Sequence, residues 1–210
     1  MAHSHESEPN YPFDLSGGML CLDFVNTISR RKVAERSIEH LGRYDDLVVF
    51  AEQSRVLSPQ QADKLRTWAR QQGSEASAAL RKATSYREVL YRAFSALVEG
   101  KPAASDDLQR INDFATESLN HRRLVRSDGH YRWEWQRNTR ESLDSVLWPI
   151  AQSAAELLTS SDLAKVRLCE APDCAWLFLD QSRNRSRRWC DMKVCGNREK
   201  ARRHYRRAHG

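Results

Sequence analysis

Cys169-Glu170-Ala171-Pro172-Asp173-Cys174, followed by Cys190-Asp191-Met192-Lys193-Val194-Cys195, is the stretch that decides how this chain is read. Two cysteine pairs of equal internal spacing stand fifteen residues apart. Each pair can offer two thiolates from one local turn, and the loop between lets both pairs close on one ion. That is the arrangement of a tetrahedral four-cysteine zinc site. The inner spacing of four residues is wider than the commoner two. Four thiolates also suit iron, so ligand type alone leaves the metal open. The matched pairs favour one structural zinc ion held by Cys169, Cys174, Cys190 and Cys195.

Two disulfides would be the competing reading, and disulfide frameworks belong to secreted chains. Met1 to Asn10 is polar and acidic, with no apolar stretch of the kind a signal peptide carries. No run approaches the length of a membrane span. The fifth cysteine, Cys21, lies in an apolar run where a buried free thiol is expected. The expectation is a cytoplasmic protein with reduced cysteines and no membrane partner.

Charge is concentrated near the same cysteines. The chain carries 34 basic and 28 acidic residues, a net charge of +6. From Gln181 onward there are eleven basic residues against only Asp191 and Glu199, so this tail stands at +9 and the rest at −3. A basic patch on an oppositely charged body points to a polyanion-binding surface. Nine of the eleven are arginine: Arg183, Arg185, Arg187, Arg188, Arg198, Arg202, Arg203, Arg206 and Arg207. The planar guanidinium suits phosphate oxygens and guanine edges. A duller role competes for the inner ones, because a zinc ion with four thiolates is formally anionic and draws neighbouring donors.

The local pattern suggests how the module is built. Lys165 to Cys169 and Ala175 to Leu179 read as two short strands around an Ala171-Pro172-Asp173 turn. The apolar run Trp176 to Leu179 fits a strand with both faces covered. Asp180 to Arg188 is a polar loop, Gly196 suits a metal turn, and Asn197 reads as the N-cap of a helix with Glu199 in its first turn. A hairpin pair and a helix-start pair of ligands make a treble-clef-like arrangement.

Trp176 to Arg207, WLFLDQSRNRSRRWCDMKVCGNREKARRHYRR, resembles the CGNR zinc finger, whose tetrapeptide stands here as Cys195-Gly196-Asn197-Arg198. The four cysteines fall where that family places its ligands. The resemblance implies a DNA-binding transcription regulator of bacterial type. It also implies a companion ABATE domain, a stress-related regulatory domain whose opening motif Gly17 to Thr27 resembles.

The body ahead of the module reads as mainly helical with a few strands, so the fold expected is α+β with a small zinc module appended. Three parts are expected: a flexible tail over 1–10, an ABATE-like regulatory body over 11–160 and the finger with its basic helix over 161–210. Gly18 to Thr27 reads as a strand or extended buried run. Helices are expected over Asp45 to Arg55, from a Ser58-Pro59-Gln60-Gln61 start, over Ser74 to Glu99, from a Ser105 cap to Asn120, and over Glu141 to Thr159 with a kink at Pro149. A strand is expected from His130 to Trp135 after an Asp128-Gly129 turn.

The body shows no phosphate-cradling glycine loop, no histidine pair at metal-binding helical spacing and no nucleophile elbow. A closed four-thiolate zinc has no open position for catalysis, so no enzyme is expected. Asp23 and Asn26 interrupt the apolar run around Cys21 and need partners if buried. They read either as a fold-stabilising network, for example with Arg87, or as the polar wall of an effector pocket near Trp133, Trp135 or Trp148. The leading expectation is a regulator whose last helix enters a groove of double-stranded DNA. Arg198 and Arg202 would read bases, and Arg203, Arg206 and Arg207 would grip phosphates. One helix reads few base pairs, so specificity would need a homodimer or a second contact from the body. The alternatives are an RNA-binding or protein-docking zinc module, and an enzyme with a structural zinc.

Overall fold

Ser58 accepts a hydrogen bond from the Gln61 N–H (3.3 Å), and the Gln61 side chain accepts one from the Ser58 N–H (2.9 Å). This reciprocal cap, with Pro59 at the first helical position, starts helix α3 where the sequence pattern places it. A computed structural model describes residues 13–136 and 142–209. The tail expected over 1–10 and the helix start expected at Glu141 lie outside the described residues.

The helices are α1 (Leu20–Val25), α2 (Tyr44–Gln53), α3 (Pro59–Gln71), α4 (Gly73–Val98), α5 (Ser105–Asn120), α6 (Leu147–Thr159) and α7 (Asn197–His209). Short strands intervene: β1 (Ile28–Ser29), β2 (Ile38–Glu39), β3 (Arg122–Ser127), β4 (His130–Trp135), β5 (Val166–Leu168) and β6 (Leu177–Leu179). They pair only as three separate antiparallel two-stranded sheets, β1 with β2, β3 with β4 and β5 with β6. The chain is mainly helical, as expected.

α4 is the spine. Ala76, Ala79, Ala83, Tyr86, Val89, Leu90, Ala93 and Phe94 recur at three- and four-residue intervals and are all buried. That stripe packs against α1, α2, α3 and α5, and α6 closes the core over α1 and α5. The apolar run at residue 20 forms α1, not a strand. A short apolar run does not distinguish a buried strand from a buried helix. Here the Leu22 and Asp23 N–H groups both bond the Met19 carbonyl, and Cys21, Leu22, Phe24 and Val25 are buried together.

Two other expectations change. Ser105 is the first residue of α5, and Ala104 holds the cap position with no side-chain bond. Pro149 causes no kink because α6 starts at Leu147. Pro149 therefore stands in the first turn, where backbone N–H groups have no helical partner to lose. The Asp128-Gly129 turn is as expected. Both residues have positive φ (50° and 83°), the geometry of a two-residue hairpin turn, and they join β4 to a partner strand, β3, that the pattern alone did not reveal.

Candidate metal centre and arginine surface

β6 has two covered faces, and its alternation explains both. Leu177 and Leu179 enter the core of the helical body, while Phe178 between them packs beside the cysteines with Trp176 and Trp189. The Cys169 N–H donates to the Trp176 carbonyl (2.8 Å), and the Cys174 N–H to the Ala171 carbonyl (3.2 Å), closing the first turn. The second turn is capped by Asp191, which accepts from the Val194 N–H (2.7 Å) and whose carbonyl accepts from the Gly196 N–H (3.0 Å). Asn197 is already helical, with φ −66° and ψ −40°, so Asp191 takes the capping role expected of Asn197. Gly196 does not adopt a positive φ either; a Cβ there would meet the Met192 side chain.

All four cysteines are buried, and their Sγ atoms lie within 4.8 Å of one another. Cys174 Sγ is 3.7 Å from Cys190 Sγ, which is 3.6 Å from Cys195 Sγ. With Zn–S near 2.3 Å, the edge of a regular tetrahedron is about 3.8 Å, so the cage has the size zinc requires. None of the cysteines is in a disulfide. The donor set fits one structural zinc ion, and with four protein ligands no coordination position is left for substrate.

The arginines sort into two groups. Arg198 donates to Cys195 Sγ (3.1 Å) and to Asp173 Oδ2 (3.3 Å), and Arg202 reaches the same oxygen at 3.5 Å. Arg206 pairs with Glu199 (3.1 Å). Residues 198, 202 and 206 thus follow one helical row, whose first two members meet Asp173 of the first cysteine turn and whose last pairs with Glu199 of the same helix. Arg187 lies 4.5 Å over the Phe178 ring and donates to the Trp189 and Cys190 carbonyls, while Arg188 pairs with Glu170. Arg187 and Arg198 therefore brace the module. Arg183, Arg185, Arg203 and Arg207 are exposed and form no ion pair among the described residues. Arg198 and Arg202, expected to face DNA bases, both contact Asp173, and Arg198 the Cys195 sulfur as well, while their side chains stay 36% and 41% exposed.

Asp173 and Asp180 organise the arginines and the loop of the module, a role that sequence reasoning missed. Asp180 is buried, and one oxygen accepts from the Ser182 N–H (2.9 Å) and hydroxyl (2.6 Å) while the other accepts from the Arg187 N–H (3.0 Å). Burial pushes its carboxyl up, but these hydrogen bonds outweigh burial and hold it below its ordinary value. The Asp180-Gln181-Ser182 sequence carries the signal, since aspartate commonly bonds the backbone two residues on.

Residues 18–161 match the ABATE family, described as "Putative stress-induced transcription regulator". The chain belongs to that family. Residues 165–208 match the CGNR zinc finger, which contains all four thiolates of the cage. A search of curated proteins finds no match. No helix of the described residues is long and apolar enough to cross a membrane.

The ABATE opening motif grips the finger. Asn26, only 3% exposed, donates through Nδ2 to the Leu177 carbonyl (2.8 Å) and accepts from the Leu177 N–H at Oδ1 (3.0 Å). The Leu179 N–H donates to the Gly17 carbonyl (2.8 Å). Gly18 has φ +82°, and a Cβ there would sit 3.3 Å from the Leu179 Cβ. Lys32 Nζ donates to the Cys169 and Ala171 carbonyls (3.1 and 3.3 Å), and Trp176 Nε1 donates to the Ile28 carbonyl (2.7 Å). Asp23 accepts from the Gly17 N–H (2.7 Å), and a Cβ on Gly17 would come within 2.8 Å of that same oxygen. Burial raises the Asp23 carboxyl to about 7, with Asp14 adding to the shift and the Gly17 N–H opposing it.

Asn26 is therefore a joint residue between ABATE body and finger, while Asp23 holds Gly17, whose carbonyl meets β6. The tryptophans suggested beside them stand elsewhere: Trp133 and Trp135 on β4, and Trp148 stacked on His121 at 3.7 Å. Arg87 bonds Glu39, Glu88 and Thr27, and Asp23 is not among its partners.

Proposed function

We propose that this chain is a zinc-dependent, sequence-specific transcription regulator that binds duplex DNA without catalysing a reaction. The observation that carries the reading is the outer face of α7. Lys200, Arg203 and Arg207 are exposed at i, i+3 and i+7 and have no ion-pair partner among the described residues. The inner row of the same helix, by contrast, pairs with Asp173 and Glu199. An α-helix fits the major groove, where guanidinium groups meet guanine edges and phosphates. Arg183 and Arg185, in the loop folded by Asp180, add phosphate contacts beside it.

In this reading the inner arginines fix the helix on the zinc cage and the outer ones face DNA. Asn26 belongs to the joint and Asp23 supports it through Gly17, and no effector is assigned to them. One helix reads few base pairs, so two copies on a symmetric site are part of the proposal, as is a cytoplasmic location. The test is selection of bound sequences from a random duplex library, with zinc-loaded protein at near-physiological salt. Enrichment of one motif repeated with dyad symmetry is expected. Salt-sensitive binding with no enriched motif would leave a polyanion-binding tail and overturn the sequence-specific reading.

A further inference from the structure

The β3–β4 hairpin carries a second surface that the zinc finger does not explain. Its register sets Arg122 opposite Trp135, Leu124 opposite Trp133 and Arg126 opposite Tyr131. Directly opposed residues share a face, and alternate residues along each strand share it too. These six side chains therefore form one side of the ribbon. Leu124, Tyr131 and Trp133 on it are 56%, 69% and 57% exposed. The Arg122 guanidinium lies 4.8 Å over the Trp133 ring and 5.6 Å from that of Trp135, so it sits against both indoles. The face carries two arginines and no acid. Glu134 projects from the other side of the ribbon, where it meets Arg132 at 3.5 Å.

Water-exposed rings interleaved with guanidinium groups are costly to maintain unless something covers them. A second copy of the same face is a poor cover, because it would set four guanidinium groups together with no carboxylate on either side. A polyanion with flat apolar groups suits both components. Tyr131 and Trp133 are two residues apart on β4, about 6.8 Å along the strand. That is about twice the roughly 3.4 Å axial rise per nucleotide of stacked B-form DNA, so the two rings are spaced to take one base between them. A base can therefore stack between or beside the two rings while Arg122 and Arg126 meet phosphates. Inside a duplex the bases are already stacked on one another; in a single strand their faces are free.

We propose that the β3–β4 face binds single-stranded nucleic acid by base stacking on Tyr131 and Trp133, at a site separate from α7. The inference does not rest on duplex binding by the finger. The test uses the full zinc-loaded chain and a thymidine oligonucleotide of about ten nucleotides, a common site size for single-strand binders. Tyr131→Ala with Trp133→Ala should weaken binding about 30-fold or more, since each stacked base contributes roughly 1–3 kcal/mol. Trp133→Phe keeps a stacking ring and should retain most of the affinity, which separates loss of stacking from loss of fold.

The same loss should appear in an Arg203→Ala, Arg207→Ala background, so that failure at α7 and failure at the hairpin are distinguishable. Unchanged oligonucleotide affinity in the double ring variant overturns the proposal. So does equal displacement of the oligonucleotide by polyglutamate, which would mean that the face selects charge alone. Self-association abolished by the ring variant, with oligonucleotide binding intact, would assign the face to a second copy and overturn it as well.

Discussion

Cys190→Ser should reduce zinc from one per chain to near none and unfold the segment after Asp180, while helices α1 to α6 persist. Cys190 is buried and shares the cage with three other thiolates. A serine hydroxyl stays protonated near neutral pH, so the remaining three ligands close the site poorly. Structural zinc contributes about 10–16 kcal/mol of apparent free energy in small finger peptides, enough to decide whether such a unit folds. The second cluster of buried residues consists of little besides the cage: Phe178, Ala171 and the four cysteines. The body has its own much larger core and does not depend on that cluster.

The break should fall after Asp180, well past the boundary at 161 that the sequence pattern suggests. Val166, Leu177 and Leu179 are part of the body's core, so the β5–β6 hairpin should stay with it. Metal analysis, circular dichroism and limited proteolysis check this together. The expected pattern is loss of the α7 signal and new cleavage beyond residue 180. Full zinc retention, or collapse of all helical signal, would contradict it.

Asn26→Ala should lower stability by about 3 kcal/mol, because it leaves the buried N–H and carbonyl of Leu177 without partners and each orphaned group costs roughly 1–3 kcal/mol. For a chain of this length that corresponds to a melting temperature lower by about 6–12 °C. Removing the side chain also takes away both bonds from the end of α1 to Leu177 of β6, so the zinc finger should become more sensitive to chelator. Thermal unfolding of the zinc-loaded protein, with and without a chelator, measures both effects. A variant as stable as the parent would show that the amide is not a joint, and would reopen Asn26 as a ligand-facing residue.

What was legible in the sequence is what depends on fixed local spacing. The cysteine pairs, the Ser58-Gln61 cap, the Asp128-Gly129 turn and the two-faced run from Trp176 to Leu179 each state their geometry within a few residues. Asn26 was conspicuous as a polar residue in an apolar run, but its partner lies 151 positions away. Tertiary pairing at that range leaves no local mark.

The same limit explains the arginines. A count of basic residues gives the charge of the tail but not which guanidinium groups are already satisfied. Asp173 decides that, and in the sequence it reads only as part of a turn. Gly18 to Thr27 was ambiguous for another reason, since six buried residues satisfy helix and strand patterns equally well.

On the proposed function, α7 has an inner row that serves the metal and an outer row that serves DNA. The most direct test compares Arg203→Ala, Arg207→Ala with Arg198→Ala, Arg202→Ala, recording zinc content and the salt dependence of duplex binding for each. The outer pair should keep one zinc per chain and lower the salt slope by about two, near 0.9 for each lost phosphate contact. The inner pair should weaken zinc retention about 10–100-fold, the usual effect of removing a donor to a metal ligand. An outer variant with unchanged affinity and slope, or an inner variant that loses DNA binding while holding zinc normally, would contradict the account.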